Sequence, residues 1–349
     1  MYFIHPQFHK FPLWPFFRKF SEAGLKNKLI GFFPNHHIVL TDSGRSAFQL
    51  AIQSLNLQNS EMLFPAYICD IFKPILEKYN IKPIYLDTDL KTFLADFSNI
   101  ETKITVNTKS ILICHTYGLP ADMDRILEIA KKYDLKTIED CAHLLIGLPR
   151  VESRGDALFF SFTKLFPVVD GGMLISKKPI EAALPKYKPR LLNIVKFLRL
   201  FPKLARITEL FRKINPPSPL QMRGYGEIKG ISMGCLRVVN YYLDNLEKQI
   251  SKREKLAGYF HKKLREIGFQ SSGITYISAL VPKNINRDEL FNKLRKRGIF
   301  CSRIWQNPIC PNLPNTQEAA KRIINFPLQN WFTEKDIDEI IAGILSSMD

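Results

Sequence analysis

What this 349-residue chain lacks narrows it first. No apolar run approaches the roughly 18–20 residues that a membrane-spanning helix requires. The opening stretch, MYFIHPQFHKFPLWPFFRKF, is aromatic and broken by proline, with neither a clean apolar core nor a small-residue cleavage site, so no signal peptide is expected. The six cysteines (69, 114, 141, 235, 301 and 310) are scattered and form no CxxC pair. That spacing argues against a zinc site or a disulfide framework and fits a reducing cytoplasm. Internal repeats and low-complexity tracts are absent. Acidic residues are scarce, 33 against 50 lysines and arginines, which leaves a net charge of +17. Nucleic acid, an anionic membrane surface and phosphorylated substrates are all compatible with such a charge. No zinc-finger spacing, aromatic RNP-type strand or helix-turn-helix accompanies it, so no nucleic-acid partner is expected.

What is there is a globular composition, 46% hydrophobic and 24% charged, in a length that suits one large domain with a smaller one, or two domains. Residues 1–40 read as a lead-in draped over the body or over a neighbouring subunit. Order is expected from Thr41, where Ser43-Gly44-Arg45-Ser46 opens a helix whose apolar residues Phe48, Ala51, Ile52 and Leu55 recur at helical spacing. Such a turn offers free backbone N–H groups and the positive end of a helix dipole. It is either a phosphate site strengthened by Arg45 or an ordinary N-cap beside a surface arginine. Strands are then expected at 61–65, 82–86, 110–117 and 136–140, with helices at 70–79 and 122–133 between them. This alternation predicts an α/β fold with a mainly parallel sheet, in which ligands gather at the carboxyl ends of the strands. Asp140 ends one strand and His143 follows three residues later. A carboxylate buried there needs a positive partner, which a cationic ring nitrogen or a structural arginine could each supply.

The stretch Ala157 to Ser176, ALFFSFTKLFPVVDGGMLIS, sets Lys164 directly after a short buried strand, with a second strand at 173–176. Burial lowers a lysine's pKa and makes its amine a better nucleophile, suited to a Schiff base. The competing reading is a lysine whose stem lies on the sheet while its ammonium reaches water. Beyond Lys178, residues 186–213 carry nine basic residues and one acidic one. Lys196, Arg199, Lys203 and Arg206 share one helical face there, beside Leu200, Leu204, Ile207 and Phe211. The stretch is either a basic amphipathic helix on anionic lipid or a solvated, subunit-packing insertion. A long charged helix over 241–269, with Glu266 paired to Lys262, leads into strands at 274–281, 299–305 and 323–328. Helices at 287–297 and 334–345 complete a small α+β domain.

These pieces, in this order, resemble the sugar aminotransferases of the DegT/StrS type that depend on pyridoxal 5'-phosphate (PLP). The matches run from about Thr41 to Leu345 and concentrate between Ser43 and Gly172. SGRSA resembles the family's Ser-Gly-Thr-Ala opening, and CHTYGLPADMD (Cys114 to Asp124) its His-x-Tyr-Gly-x-Pro-Ala-Asp-Met segment. EDCAH (Glu139 to His143) resembles Glu-Asp-Ala-Ala-Gln, and FSFTK with the following DGG resembles the element that carries the cofactor lysine. The resemblance implies the PLP-dependent transferase fold type I, an α/β architecture. Its large domain has a mixed, mostly parallel seven-stranded sheet, its smaller C-terminal domain is α+β, and its homodimer has active sites at the interface. Mapped here, it gives an N-terminal arm (1–40), a large PLP-binding domain (41–235) with a basic insertion near 186–214, and a small domain with a linking helix (236–349).

By the same resemblance Lys164 tethers PLP and moves protons during catalysis, and Asp140 pairs with the pyridine nitrogen. Ser43, Gly44, Arg45 and Ser161 surround the phosphate. His143 stands at the family's glutamine position, near the ring face and its 3-oxygen. Tyr67 or Cys69 stands where the family places an aromatic that stacks on the ring, and Gly171-Gly172 reads as backbone room beside the cofactor. No metal is implied. The implied activity moves an amino group from an amino acid, glutamate in most such enzymes, to a keto sugar carried on a nucleotide. The expected setting is cytoplasmic synthesis of a polysaccharide or a secondary metabolite, with contact at an anionic membrane surface if the basic insertion binds lipid.

The chain departs from the family in three places. Ser161 and Lys164 are only three residues apart, where two more are common. GYGEIKGISMG (Gly224 to Gly234) stands in place of the Gly-Tyr-Asn-x-Arg segment that reaches the partner subunit's cofactor, and the basic insertion is not general. Two other functions use the same fold. A PLP-dependent sugar dehydratase would carry histidine where Lys164 stands, and a degenerate scaffold would need neither Asp140 nor Lys164.

Overall fold

Successive residues along the strands point to opposite faces of one sheet, and each face is covered. The structure, a computed structural model, describes residues 2–8, 19–147, 155–181, 183–187, 196–201, 204 and 227–348. Its strands are β1 (Tyr2–Phe3), β2 (His37–Thr41), β3 (Glu61–Pro65), β4 (Lys82–Leu86), β5 (Thr108–Cys114) and β6 (Lys136–Asp140). They continue with β7 (Ala157–Ser161), β8 (Gly172–Ser176), β9 (Gln270–Ser272), β10 (Ile277–Leu280), β11 (Ile299–Phe300) and β12 (Ile323–Phe326). The helices are α1 (Glu22–Phe32), α2 (Gly44–Ser54), α3 (Lys73–Lys78), α4 (Met123–Lys132) and α5 (Phe162–Leu165). After them come α6 (Met233–Leu243), α7 (Leu246–Glu266), α8 (Arg287–Lys296), α9 (Pro314–Arg322) and α10 (Glu334–Met348).

Seven strands form one sheet in the order β2-β8-β7-β6-β5-β3-β4. Only β8 runs against its neighbours; the pairs from β7 to β4 are parallel. Met62, Phe64, Leu112, Ile138, Phe159 and Leu174 pack with α2 and α3 on one face. On the other, Leu63, Ile111 and Ile113 pack with α4, while Leu158, Phe160, Met173 and Ile175 pack with α1 and α6. Burial on both faces is why these strands read as nearly continuous apolar runs rather than as alternation. A second, antiparallel sheet, β12-β10-β9, is covered by α7, α8 and α10. Helix α7 belongs to both bodies: Leu246 and Ile250 enter the core beside β8, and Leu256, Phe260 and Leu264 enter the C-terminal core.

Several expectations need correction. Order does not wait for Thr41, because α1 and β2 precede it and β2 is the edge strand of the main sheet. The described part of the lead-in lies on its own chain. Strand β1 pairs with β11, Phe3 stacks on Phe300 at 4.5 Å, and Gln329 Nε2 donates to the Phe3 carbonyl at 2.6 Å. The helix expected over 241–269 is two helices broken at Asp244–Asn245. Helix α9 was not anticipated, β11 ends at Phe300 rather than near Trp305, and Glu266 pairs with Lys263 instead of Lys262. Of the basic 186–213 stretch, residues 188–195, 202–203 and 205–213 lie outside the described residues. In the described part Leu200 is buried and Phe197 is exposed.

Candidate active site

The carboxyl ends of β2, β6 and β7 deliver the functional groups to one cavity of about 350 Å³. Ser43, Gly44 and Arg45 follow β2, Asp140 ends β6, Ser161 ends β7, and Cys69, His143 and Lys164 complete the expected set around the same space. Tyr67 is not in the lining. It lies buried behind it, its hydroxyl 2.9 Å from that of Tyr117 and donating to the Ile304 carbonyl at 3.2 Å.

Helix α2 is capped by Ser43, whose Oγ accepts the Ser46 N–H at 3.3 Å. Its N-terminus meets two other segments backbone against backbone. A Cβ on Gly172 would lie 2.5 Å from the Gly44 nitrogen, and one on Gly44 would lie 3.0 Å from the Ser161 Cβ. Gly172 therefore makes room for the turn itself rather than for a ligand. Gly171, at φ +102°, gives way to the Cys235 thiol, 2.3 Å from where its Cβ would be. Arg45 Nη1 is buried without a hydrogen-bond partner, an orphaned cationic donor of the kind that a phosphate oxygen satisfies.

Lys164 sits on α5, one helical turn beyond Ser161. Three residues are enough here, because side chains at i and i+3 of a turn lie on one face. Burial lowers the lysine's pKa and Arg45 pushes the same way, while Cys69 and Asp140 oppose them. Asp140 is pushed up to about 6 by burial, against the Ala142 N–H and the nearby Lys164. Its Oδ1 accepts the Ala142 N–H at 2.9 Å, and Oδ2 has only the Cys114 thiol at 4.0 Å. A cationic ring nitrogen would complete this carboxylate, and the orphaned Arg45 donor, the open α2 terminus and a nucleophilic lysine suit the remainder of PLP. The residues fit that cofactor.

His143 is held flat. Its ring lies against Trp305 at 5.2 Å and 23°, and meets Tyr276 edge-on at 5.0 Å. Burial, with Lys164 nearby, pushes its pKa down to about 3, so the ring is neutral at physiological pH. Trp305 lines the cavity and was not anticipated as a site residue. It adopts φ +60°, an outlier for a bulky side chain, on a turn that Asn325 Oδ1 holds by accepting the Ile304 N–H at 2.6 Å. The signal for a turn was the Asn-Pro dipeptide at 307–308 just after it.

Glu227 and Lys229 also line the cavity, from the segment that the resemblance sent to a partner subunit. Here the Lys229 carbonyl accepts the Asp42 N–H of the same chain at 2.8 Å. Gly224 to Gly226 lie outside the described residues. His115, Glu139 and Cys141 place ligand-type atoms within 4.8 Å of one another. Both ring nitrogens of His115 and both oxygens of Glu139 already have hydrogen-bond partners within the protein.

The sequence model of the DegT/DnrJ/EryC1/StrS aminotransferase family matches residues 21–187. GDP-perosamine synthase of Caulobacter vibrioides is 32% identical over 88% of this chain and 85% of its own. The chain belongs to the DegT/DnrJ/EryC1/StrS aminotransferase family. It is a transaminase by that membership. The dTDP-4-amino-4,6-dideoxy-D-glucose transaminase of Shigella dysenteriae is 25% identical over 92% of this chain and 88% of its own. Among solved structures, NtdA of Bacillus subtilis with bound cofactor PMP superposes with a TM-score of 0.71, at 20% identity over 96% of this chain and 79% of that one. The family's fold, with its seven-stranded, mostly parallel sheet, is the one observed.

Proposed function

We propose that this transaminase uses PLP to move an amino group from an amino acid, with glutamate as donor, to a nucleotide-linked keto sugar. The observation that carries the reading is the convergence of Lys164, Asp140 and the α2 N-terminus on one cavity. The sugar half is supported by the names of the Caulobacter and Shigella relatives, both of which concern amino sugars joined to a nucleotide. When bound, PLP supplies an electrophilic carbon that amines attack and a ring that withdraws electrons.

The protein does the rest. Arg45 and the free N–H groups at the start of α2 bind the phosphate. Asp140 keeps the proton on the ring nitrogen. Burial lowers the pKa of Lys164 and so favours its neutral amine, which suits it to act first as nucleophile and then as the base that takes the proton from the substrate Cα. His143, neutral, offers a hydrogen bond without adding charge. Lys229 and Arg45 put positive charge at a cavity that must also admit a nucleotide's phosphates. The same reading includes a cytoplasmic homodimer and peripheral contact of residues 186–214 with anionic membrane. Liposome binding that is absent at low salt would remove the membrane part alone. Lys164 itself speaks against a dehydratase.

The test is the visible spectrum of the purified protein. Wild type with PLP should show an absorbance band that borohydride fixes covalently on Lys164 and that glutamate shifts. Lys164→Ala should lose the covalent link and on the order of 10²–10⁴ in transamination rate. A wild-type protein that stays colourless with added PLP would overturn the assignment.

A further inference from the structure

Two carboxylates stand side by side at the end of β6, and only Asp140 lines the cavity. Glu139 projects to the opposite face of the strand, 1% exposed, where it meets His115, which is also 1% exposed. His115 Nδ1 accepts the Ala121 N–H at 3.0 Å, so the neutral ring keeps its proton on Nε2 and donates it to Glu139 Oε2 at 3.0 Å. Glu139 Oε1 accepts the Gly155 N–H at 2.7 Å. A donor faces each carboxylate oxygen, and one nitrogen of the ring accepts while the other donates. The arrangement is buried, with each of these atoms given a partner.

Asp140 is the opposite case. Its carboxylate has one backbone N–H and a distant thiol, so little of its own surroundings fixes its direction. That direction depends on the backbone beneath it. The His115 N–H donates to the Asp140 carbonyl at 3.1 Å, and Cys114 pairs with Asp140 across the β5–β6 ladder. The His115–Glu139 bond closes the same two strand ends from the other face.

We propose that the His115–Glu139 pair is a positioning device that aims the Asp140 carboxylate at the ring nitrogen of the bound cofactor, an inference resting on the role of Asp140 given above. Neither residue lines the cavity; both act through the strand ends.

The test compares two ligands on cofactor-free protein prepared from the holoenzyme: PLP, and its analogue with carbon in place of the ring nitrogen. Affinities are read from absorbance titrations. Wild type should prefer PLP, and Asp140→Asn should abolish the preference. His115→Leu and Glu139→Ala should shrink it on the order of tenfold. His115→Gln, whose amide presents one acceptor and one donor, should preserve it. If His115→Leu and Glu139→Ala weaken both ligands equally with the preference intact, the pair serves only fold stability and the proposal falls. Should Glu139→Ala not fold, Glu139→Gln, which sets N–H against N–H on one side, is read the same way. A wild type without preference removes the reading of Asp140 and this inference with it. Loss of preference in Asp140→Asn alone sinks only the inference.

Discussion

Two walls of the cavity are built differently. The wall at the sheet ends joins Ser43-Gly44, Ser161 and Gly172 backbone against backbone, with no side chain fitting between them. Another wall is made of side chains from later segments, Trp305 above all, on a turn that side chains hold: Asn325 Oδ1 accepts the Ile304 N–H and the Tyr67 hydroxyl donates to the Ile304 carbonyl. The tight wall carries the groups that any transamination needs. The hung wall carries an aromatic face and two charged residues, Glu227 and Lys229, that a particular substrate would meet. On the function proposed above, the chemistry falls to the backbone-joined wall and substrate selection to the wall of side chains.

Three substitutions would break or sharpen this contrast. The largest effect is expected at Asp140. Its rise from 3.8 to about 6 corresponds to roughly 3 kcal/mol. Below pH 4 the group is protonated in both folded and unfolded chains. From there through pH 6 the folded state holds a proton that the unfolded state has released, so this group's contribution to stability falls as pH rises. Cofactor-free Asp140→Asn should therefore be more stable than wild type at pH 8, by up to roughly 3 kcal/mol in urea unfolding, and nearly equal to it at pH 4. Bound PLP should cancel the gain. An unchanged unfolding midpoint at pH 8 would show that the carboxylate is not penalised.

Next comes Trp305→Ala. If the hung wall selects substrate, kcat/KM for the keto-sugar half-reaction should fall on the order of tenfold, with the glutamate half-reaction changed less than about twofold. Equal losses in both halves would place Trp305 with the chemistry instead.

The smallest effect is expected at Asp87, which ties α9 to the end of β4. Its carboxylate accepts the Thr316 N–H at 2.8 Å and the Asn315 N–H at 3.1 Å, an N-cap donated from a distant segment. Asp87→Ala should cost about 1 kcal/mol in unfolding free energy, with the Lys164-linked absorbance band unmoved. A shifted band would mean that the two walls are less independent than their construction suggests.

The same contrast decides what could be read from residues alone. Strands β3, β5, β7 and β8 were legible because burial on both faces makes each a short, largely apolar run, whereas half-exposed β4 and the polar β6 (KTIED) were legible only from the alternation of strands and helices around them. The cavity residues of the tight wall were legible because each lies within a few residues of a strand end. Helix α1 was not, since only Leu25 and Leu29 are buried along it and no apolar stripe forms. Trp305 was not, because its place depends on Asn325 and Tyr67, partners that no local spacing reveals. Tyr67 and Cys69 could not be told apart from sequence, being two residues apart on an irregular segment. Only packing against Tyr117 and Ile304 turns Tyr67 away from the cavity.

The pairing of Ser161 with Gly172 has one more consequence. Because β7 and β8 are antiparallel and joined there, Lys164 rides on a closed loop of fixed circumference, clasped again where the Phe162 N–H meets the Gly171 carbonyl at 3.0 Å. The loop works as a gauge. Adding or removing one residue between the clasp points would move the amine by about one residue's length, roughly 3 Å, more than the tolerance for bond formation at a fixed carbon. A chain with a shorter interval from serine to lysine must set its gauge by the helical turn of α5, so insertions in this loop should be far less tolerated than insertions in the segments that carry the hung wall.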